Sequence, residues 1–471
     1  MPTQLKLQKF VVPKDDPFAN DKLDRKKCID ALTKVVQNGP GPLVISINGR
    51  WGTGKTVFLE MWNQALKNNS FTTVYFNAWQ DDYCHDPLVA LIGQIWNELK
   101  DSDLKEIANS VKKCAAPVFR TTIFNAIRTA SAGVIDLNES QLKSISEKVL
   151  DEYVNAGKKL KDLKERLSEL SHEVGKKGKP LIIIIDELDR CRPTFAIELL
   201  EKVKHLFDTP GILFILGIDR EQISHSIKSV YGHEMDVNGY LRRFIDIEFV
   251  LPEAKTEIFI SHIFEQLGLH ECFEKRKLAT QNRIDDKSGF DAVSSKLCEC
   301  FQLSLRDIEH CCRILTLAYM NTDDRHFTFP YLLMVLVIVK SINNELYCSY
   351  VSGQCDIEDI INFILKQPHG ERFLNTFEAK IIYAHLIAVL PEERRNIILN
   401  QIKLLCEQKE LNHPEALPNR IKKMPTEDLD RIYEMCSYLI NDFRGLHITH
   451  KTLGYLSKKI ELASLMLDYT E

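Results

Sequence analysis

No stretch of this 471-residue chain is apolar for long enough to span a membrane, which takes about 20 mostly apolar residues. The most apolar run, Phe329 to Val339 (FPYLLMVLVIV), is too short and carries Pro330 near its start, so it reads as a buried core helix. Ala115 to Val134 is broken by Arg120, Asn125 and Arg128. The N-terminus has no signal-peptide pattern. No membrane partner is therefore expected, and a reducing cytoplasm is the expected setting for an odd number of cysteines, 13. None of the usual zinc spacings occurs. Cys298, Cys300, His310, Cys311 and Cys312 form the densest cluster, and in helix-like segments they read as small buried apolar side chains. An excess of one charge is missing too. Lys+Arg 61 against Asp+Glu 66 leave a net charge of −5, which does not favour coating a nucleic acid, although a local basic face leaves that partner open. With 27% charged and 44% hydrophobic residues, the chain has the composition of a soluble globular protein of two or three domains.

Residues 49–56 read Gly49-Arg50-Trp51-Gly52-Thr53-Gly54-Lys55-Thr56, the G-x-x-x-x-G-K-T pattern of a phosphate-binding loop. Its surroundings suit it. Leu43 to Ile47 is a short apolar run fit for a buried strand, and Val57 to Trp62 opens a helix. Glycines let such a backbone curl so that its N–H groups face a phosphate, and the helix N-terminus adds a favourable dipole. Gly49, Trp51, Gly52, Thr53, Gly54, Lys55, Thr56 and Val57 are the expected ATP-binding set, with Lys55 reaching the β- and γ-phosphates and the Thr56 hydroxyl ligating Mg²⁺. Pro180 to Glu187 (PLIIIIDE) is a second signal: near-continuous Ile marks a central parallel strand covered on both faces. Asp186 at its end is the expected second Mg²⁺ residue, and Glu187 is placed to act as general base on the attacking water.

The expected architecture is α/β, a parallel P-loop sheet core with a helical insertion, a helical lid and an all-helical C-terminal region. Residues 1–99 hold the N-terminal segment and the first part of the core. There Asp21 to Val36 reads as a helix, Phe71 to Phe76 as a strand, and Asp86-Pro87 as the start of a helix carrying Leu88, Leu91, Ile92 and Ile95. Residues 100–178 read as the insertion. Leu160, Leu163, Leu167, Leu170 and Val174 give it the seam of a coiled coil or long helical hairpin. Its many lysines are interleaved with acids and read as a solvated face. Residues 179–252 return to the core, with a helix near Thr194 to Phe207, a buried strand Ile212 to Ile218, a helix Glu221 to Tyr231 and a last strand Ile245 to Val250. Strands are lacking after that. Residues 253–345 are the expected lid and 346–471 a further helical region.

Several stretches together resemble the KAP family of P-loop NTPases, within the AAA+/STAND-like group of additional-strand NTPases. They are Asp21-Lys22-Leu23-Asp24-Arg25, the loop with its Trp51, Phe76-Asn77-Ala78-Trp79, Asp186-Glu187-Leu188-Asp189-Arg190-Cys191, Gly217-Ile218-Asp219-Arg220 and Tyr240-Leu241-Arg242-Arg243-Phe244. They cover roughly residues 10–345. The resemblance implies an ATP-binding switch or ATPase coupled to a homo-oligomer or to a protein partner, in a family that includes phage-exclusion and other bacterial defence proteins. Many members carry transmembrane helices between the two nucleotide motifs. The segment here is polar, so a soluble member is expected. Relatives mostly have Asp-Asp where this chain has Asp186-Glu187, and Glu is at least as able to hold the water.

Further readings follow from position. Asp219 sits where related ATPases place a polar phosphate sensor, and it would also cap the helix that follows. Arg306 sits where a lid arginine would reach the phosphates, and a solvated or ion-paired fate stands beside that. Arg190, Arg242 and Arg243 are candidate charge-stabilising fingers. Trp51 is expected to pack beside the loop and Trp79 to anchor the core; Asp24 and Arg25 are expected near the adenine. Two other functions share these motifs: a scaffold that holds ATP without turnover, and a P-loop phosphotransferase.

Overall fold

The computed structural model describes residues 11–39, 41–118, 158, 161–176, 178–253, 255–279, 289–322, 328–441 and 451–468. They fall into two compact units that divide after Glu253.

The N-terminal unit is built on five parallel strands: β1 (Leu43–Asn48), β2 (Thr72–Asn77), β3 (Leu181–Asp186), β4 (Ile212–Ile218) and β5 (Ile247–Val250), in the order β2-β3-β4-β1-β5. Strand β4 is thus the additional strand between the loop strand β1 and the acidic strand β3. Parallel neighbours need long crossovers. α1 (Lys26–Asn38) precedes β1, and the crossovers hold α2 (Lys55–Asn68), α3 (Pro87–Leu99), α4 (Lys105–Val118), α5 over 161–175, α6 (Pro193–Phe207) and α7 (Arg220–Tyr231). Strand side chains alternate between faces. Ile182 and Ile184 pack with Ile29, Phe58 and Trp62 under α1 and α2. Ile183 and Ile185 pack with Leu91, Leu167, Phe195 and Ile223 under the other helices. Every residue of β3 and β4 is buried, and each such Ile is worth about 1.5–3 kcal/mol over leaving it in water. The register sets Asn77 opposite Asp186, so the chemistry-bearing ends of β2 and β3 lie side by side.

Three expectations need correction. The first helix begins at Lys26, not Asp21: Asp24 adopts a left-handed φ of 54° and the Asp21 carboxylate accepts the Lys26 N–H at 2.8 Å, so 21–25 form a turn. The leucine stripe of the insertion is not a free seam. Leu163, Leu167, Leu170 and Val174 are buried in the sheet's own core, and Ser171 Oγ donates to the Pro210 carbonyl at 2.7 Å. Leu160 and residues 119–157 lie outside the described residues. Trp79 is 52% exposed and anchors nothing in the core, because β2 ends at Asn77 and the chain turns outward there.

The described residues of the C-terminal unit are helical, from Thr256–Gln266 to Lys451–Asp468. The apolar run forms the helix Pro330–Ile342, with Pro330 in its first turn and Leu332 to Val339 all buried. Cys298, Cys300, Cys311 and Cys312 are buried in the same core. Burial pushes their thiols up, that of Cys311 to about 11, which leaves them protonated and inert. No helix among the described residues is long and apolar enough to cross a membrane.

Candidate nucleotide-binding site

The loop between β1 and α2 has the shape its glycines anticipate. Gly52 and Gly54 take φ of 79° and 85°, a region that side chains oppose. A Cβ on Gly49 would sit 2.9 Å from Thr53 Oγ1 and 3.3 Å from Lys55 Cγ. No side chain caps α2. The N–H groups of Gly52, Gly54, Lys55, Thr56 and Val57 have no protein acceptor among the described residues. Such a cluster of unsatisfied donors at a helix start is an anion cradle. Arg25 braces it from behind, donating through Nη1 to the Pro252 carbonyl at 2.6 Å and through Nη2 to the Thr53 carbonyl at 3.5 Å. Arg25 is buried, while Asp24 is exposed and pairs with Lys27.

Lys55 is 8% exposed and donates to the Gly49 carbonyl at 2.5 Å. Its nearest carboxylate is Asp189 at 3.9 Å. Burial lowers the Lys55 amine against the attraction of Asp189, Asp219 and Asp186. Burial likewise raises Asp189, against Lys55 and Trp51. Desolvation therefore outweighs the attraction within the pair, and both groups are pushed toward their neutral forms.

The ends of β2 and β3 supply the acids. Asp186 is fully buried; its Oδ2 accepts the Tyr75 hydroxyl at 2.7 Å and its Oδ1 the Glu187 N–H at 2.8 Å. Burial raises its carboxyl, opposed by these bonds and by Thr56. Glu187 takes a left-handed φ of 59°, an uncommon conformation that turns its side chain back toward the loop. Its Oε1 lies 3.4 Å from Thr56 Oγ1 and 2.6 Å from Arg190 Nη1, and its Oε2 accepts Asn77 Nδ2 at 3.0 Å. Lys55, Thr56, Asp186 and Glu187 are thus brought together. Val57 continues α2 beside them.

Asp219 performs the capping role: Oδ1 accepts the N–H groups of Glu221 and Gln222 at 3.0 and 3.3 Å. Its Oδ2 accepts the Trp51 N–H at 2.8 Å, tying the start of α7 to the loop. Trp51 is 42% exposed, and its indole N–H donates to Asp189 Oδ2. Arg190 serves Glu187 and sits over the Trp79 ring at 5.6 Å. Arg242 and Arg243 are exposed. Arg306 belongs to the C-terminal unit and is exposed in the first turn of the helix Leu305–Met320.

Tyr75, Asn77 and Asp189 were not foreseen as site residues, although Asn77 and Asp189 lie in stretches quoted above for their pattern. Gly217 on β4 is another. A Cβ there would meet Leu59 Cδ1 at 2.5 Å and Asp186 Oδ1 at 2.6 Å. Gly217→Ala should therefore displace the Asp186 carboxylate and cost about 1–3 kcal/mol of stability by overpacking. Urea unfolding measures this, and a variant as stable as the parent would show that the strand gives way freely.

Residues 25–322 match the KAP family P-loop domain. The chain belongs to the KAP family. An uncharacterized protein of Methanocaldococcus jannaschii is 30% identical over 173 residues, 31% of this KAP chain and 89% of that protein. The phage T7 exclusion protein of Escherichia coli K12 is 23% identical over 331 residues, 64% of this chain; the KAP chain spans 42% of that relative's length. Among solved structures, the Aeropyrum pernix ORC1 protein in complex with DNA aligns over 94% of this chain and 84% of its own, at TM-score 0.32 and 13% identity. The ORC2 protein of the same organism aligns over 93% and 86%, at TM-score 0.30 and 13% identity. As a member of this P-loop family, the KAP chain is a nucleotide-binding protein.

Proposed function

We propose that this KAP chain is a Mg²⁺-dependent ATPase that acts as a nucleotide-controlled switch in the cytoplasm, in defence against phage. The observation that carries the hydrolytic part is the meeting of Lys55, Thr56, Asp186 and Glu187 in front of an uncapped helix start, with Thr56 Oγ1 3.4 Å from Glu187 Oε1. The loop N–H groups and Lys55 would hold the phosphates. Thr56 and Asp186 fit Mg²⁺: both are hard oxygen donors, and around Lys55 the buried acids Asp186, Asp189 and Asp219 outnumber the bases. The ion, when bound, supplies neutralisation of phosphate charge. Glu187 would orient the attacking water and take its proton, with Asn77 fixing its second oxygen.

The 2.6 Å ion pair with Arg190 occupies the oxygen Glu187 would need, which supports a slow basal rate that a second chain or a protein partner raises. The defence role is supported by the phage T7 exclusion protein among the relatives. Asp219, bonded to Trp51 of the loop, is the proposed phosphate sensor.

The deciding experiment is phosphate release from ATP by the purified chain over a range of protein concentrations, with Mg²⁺ and with EDTA. Turnover per chain that rises with concentration and vanishes in EDTA is expected. Release that ignores EDTA removes the Mg²⁺ reading. Tight ATP binding with no release under any condition turns the protein into a scaffold.

A further inference from the structure

Beside the loop lies a cavity of about 530 Å³, within the range of small-ligand sites. Its walls include Trp51, Trp79, Asp189, Arg190, Gln222 and His225. Two features of these walls bear on a second ligand. Trp51 and Trp79 are 42% and 52% exposed, a large apolar area left in water on a rigid scaffold. Asp189 is 94% buried, and its Oδ1 has no hydrogen-bond partner among the described residues, although its Oδ2 accepts the Trp51 indole. A buried carboxylate oxygen left without a donor is costly, and a donor supplied from outside would relieve it. Tryptophan faces, for their part, attract cations. Arg190 already lies over Trp79, but its guanidinium is also engaged by Glu187.

We propose that this cavity is an effector site for an organic cation, a guanidinium or primary ammonium on a short apolar stem, held between Trp51 and Trp79 and hydrogen-bonded to Asp189. The stem covers the exposed indole surface. The cationic head meets Asp189, whose Oδ2 accepts the Trp51 indole while its Oδ1 has no hydrogen-bond partner among the described residues. A quaternary ammonium could use the rings but could not donate to Asp189. Arg190 belongs to both this wall and Glu187. Resting on the hydrolytic reading above, a cation that takes the Trp79 face leaves the Arg190 guanidinium to Glu187 alone, tightens that pair and lowers turnover.

The test is titration of agmatine into the full chain without nucleotide, followed by calorimetry and tryptophan fluorescence, with tetramethylammonium as second probe. Saturable agmatine binding is expected, weakened about tenfold or more by Trp79→Ala and by Asp189→Asn, with tetramethylammonium binding more weakly. Trp79 is half exposed, so its removal leaves the core intact and keeps the test sound even if Asp189→Asn disturbs the loop. No saturable signal at millimolar agmatine, or equal affinity in Trp79→Ala, overturns the proposal. Agmatine that binds a chain of constant mass identifies a free cation as the natural source. Agmatine that breaks an oligomer apart identifies a side chain of a second copy. A chain that binds agmatine but never hydrolyses ATP keeps this site and loses the hydrolytic reading; one that hydrolyses ATP and ignores agmatine does the reverse.

Discussion

Lys55→Ala is expected to weaken ATP binding by at least one to two powers of ten, since a charged hydrogen bond to a phosphate is worth about 1.5–3 kcal/mol. Lys55 has no structural task that would explain such a loss. Its amine is held by one backbone carbonyl, that of Gly49, and by a carboxylate 3.9 Å away. Burial lowers that amine in the protein alone, against the attraction of Asp189, Asp219 and Asp186, and a bound triphosphate would favour its charged form further. Thermal unfolding makes the readout independent of turnover. ATP at 100 times its Kd should stabilise the parent chain by about 2.7 kcal/mol, and the same ATP concentration should stabilise the variant by only about 0.4–1.4 kcal/mol. An equal ATP-induced shift in both proteins would mean that the loop does not hold the phosphates through Lys55. A variant already unfolded without nucleotide would point instead to the Lys55–Asp189 pair as a structural bond.

The phosphate loop and the acidic strand were legible because their local rules and their global setting agree. Gly52 and Gly54 sit where positive φ is required, and the four isoleucines of β3 are buried on both faces, as a central parallel strand demands. What remained hidden depends on contacts between distant segments. Asn77 and Asp186 are far apart in the chain, and only the register of β2 on β3 sets them opposite each other. Asp189 reads in sequence as one more acid of a turn. Its meaning appears when the one-turn helix Leu188–Arg190 carries it under the Trp51 indole. Trp79 misled for a related reason: a tryptophan just after a strand suggests a buried anchor, yet the strand has ended and the ring is outside. The leucine spacing of α5 was a true helical signal, but spacing specifies a stripe and not what covers it. The sheet's own core does.

Glu187→Gln separates the enzyme from the scaffold, and its expected effect on turnover is the larger of the two. Loss of a general base costs about 10²–10⁴-fold. Gln keeps an oxygen for the Asn77 amide and has nearly the same shape, so the left-handed turn at 187 and the packing of β3 should survive. It removes a negative charge next to the place of the γ-phosphate, so ATP affinity should hold or increase. It also breaks the ion pair with Arg190, whose guanidinium keeps only the Trp79 face. Single-turnover phosphate release and equilibrium ATP binding, measured on the same preparation, read these effects apart. Release lost with binding kept establishes Glu187 as the base. Release unchanged makes Glu187 an anchor for Arg190 and moves the search for the base elsewhere. Release and binding lost together would mean that the Glu187–Arg190 pair holds the loop itself in shape, and the ATP-dependent role would then rest on architecture and not on chemistry at this carboxylate.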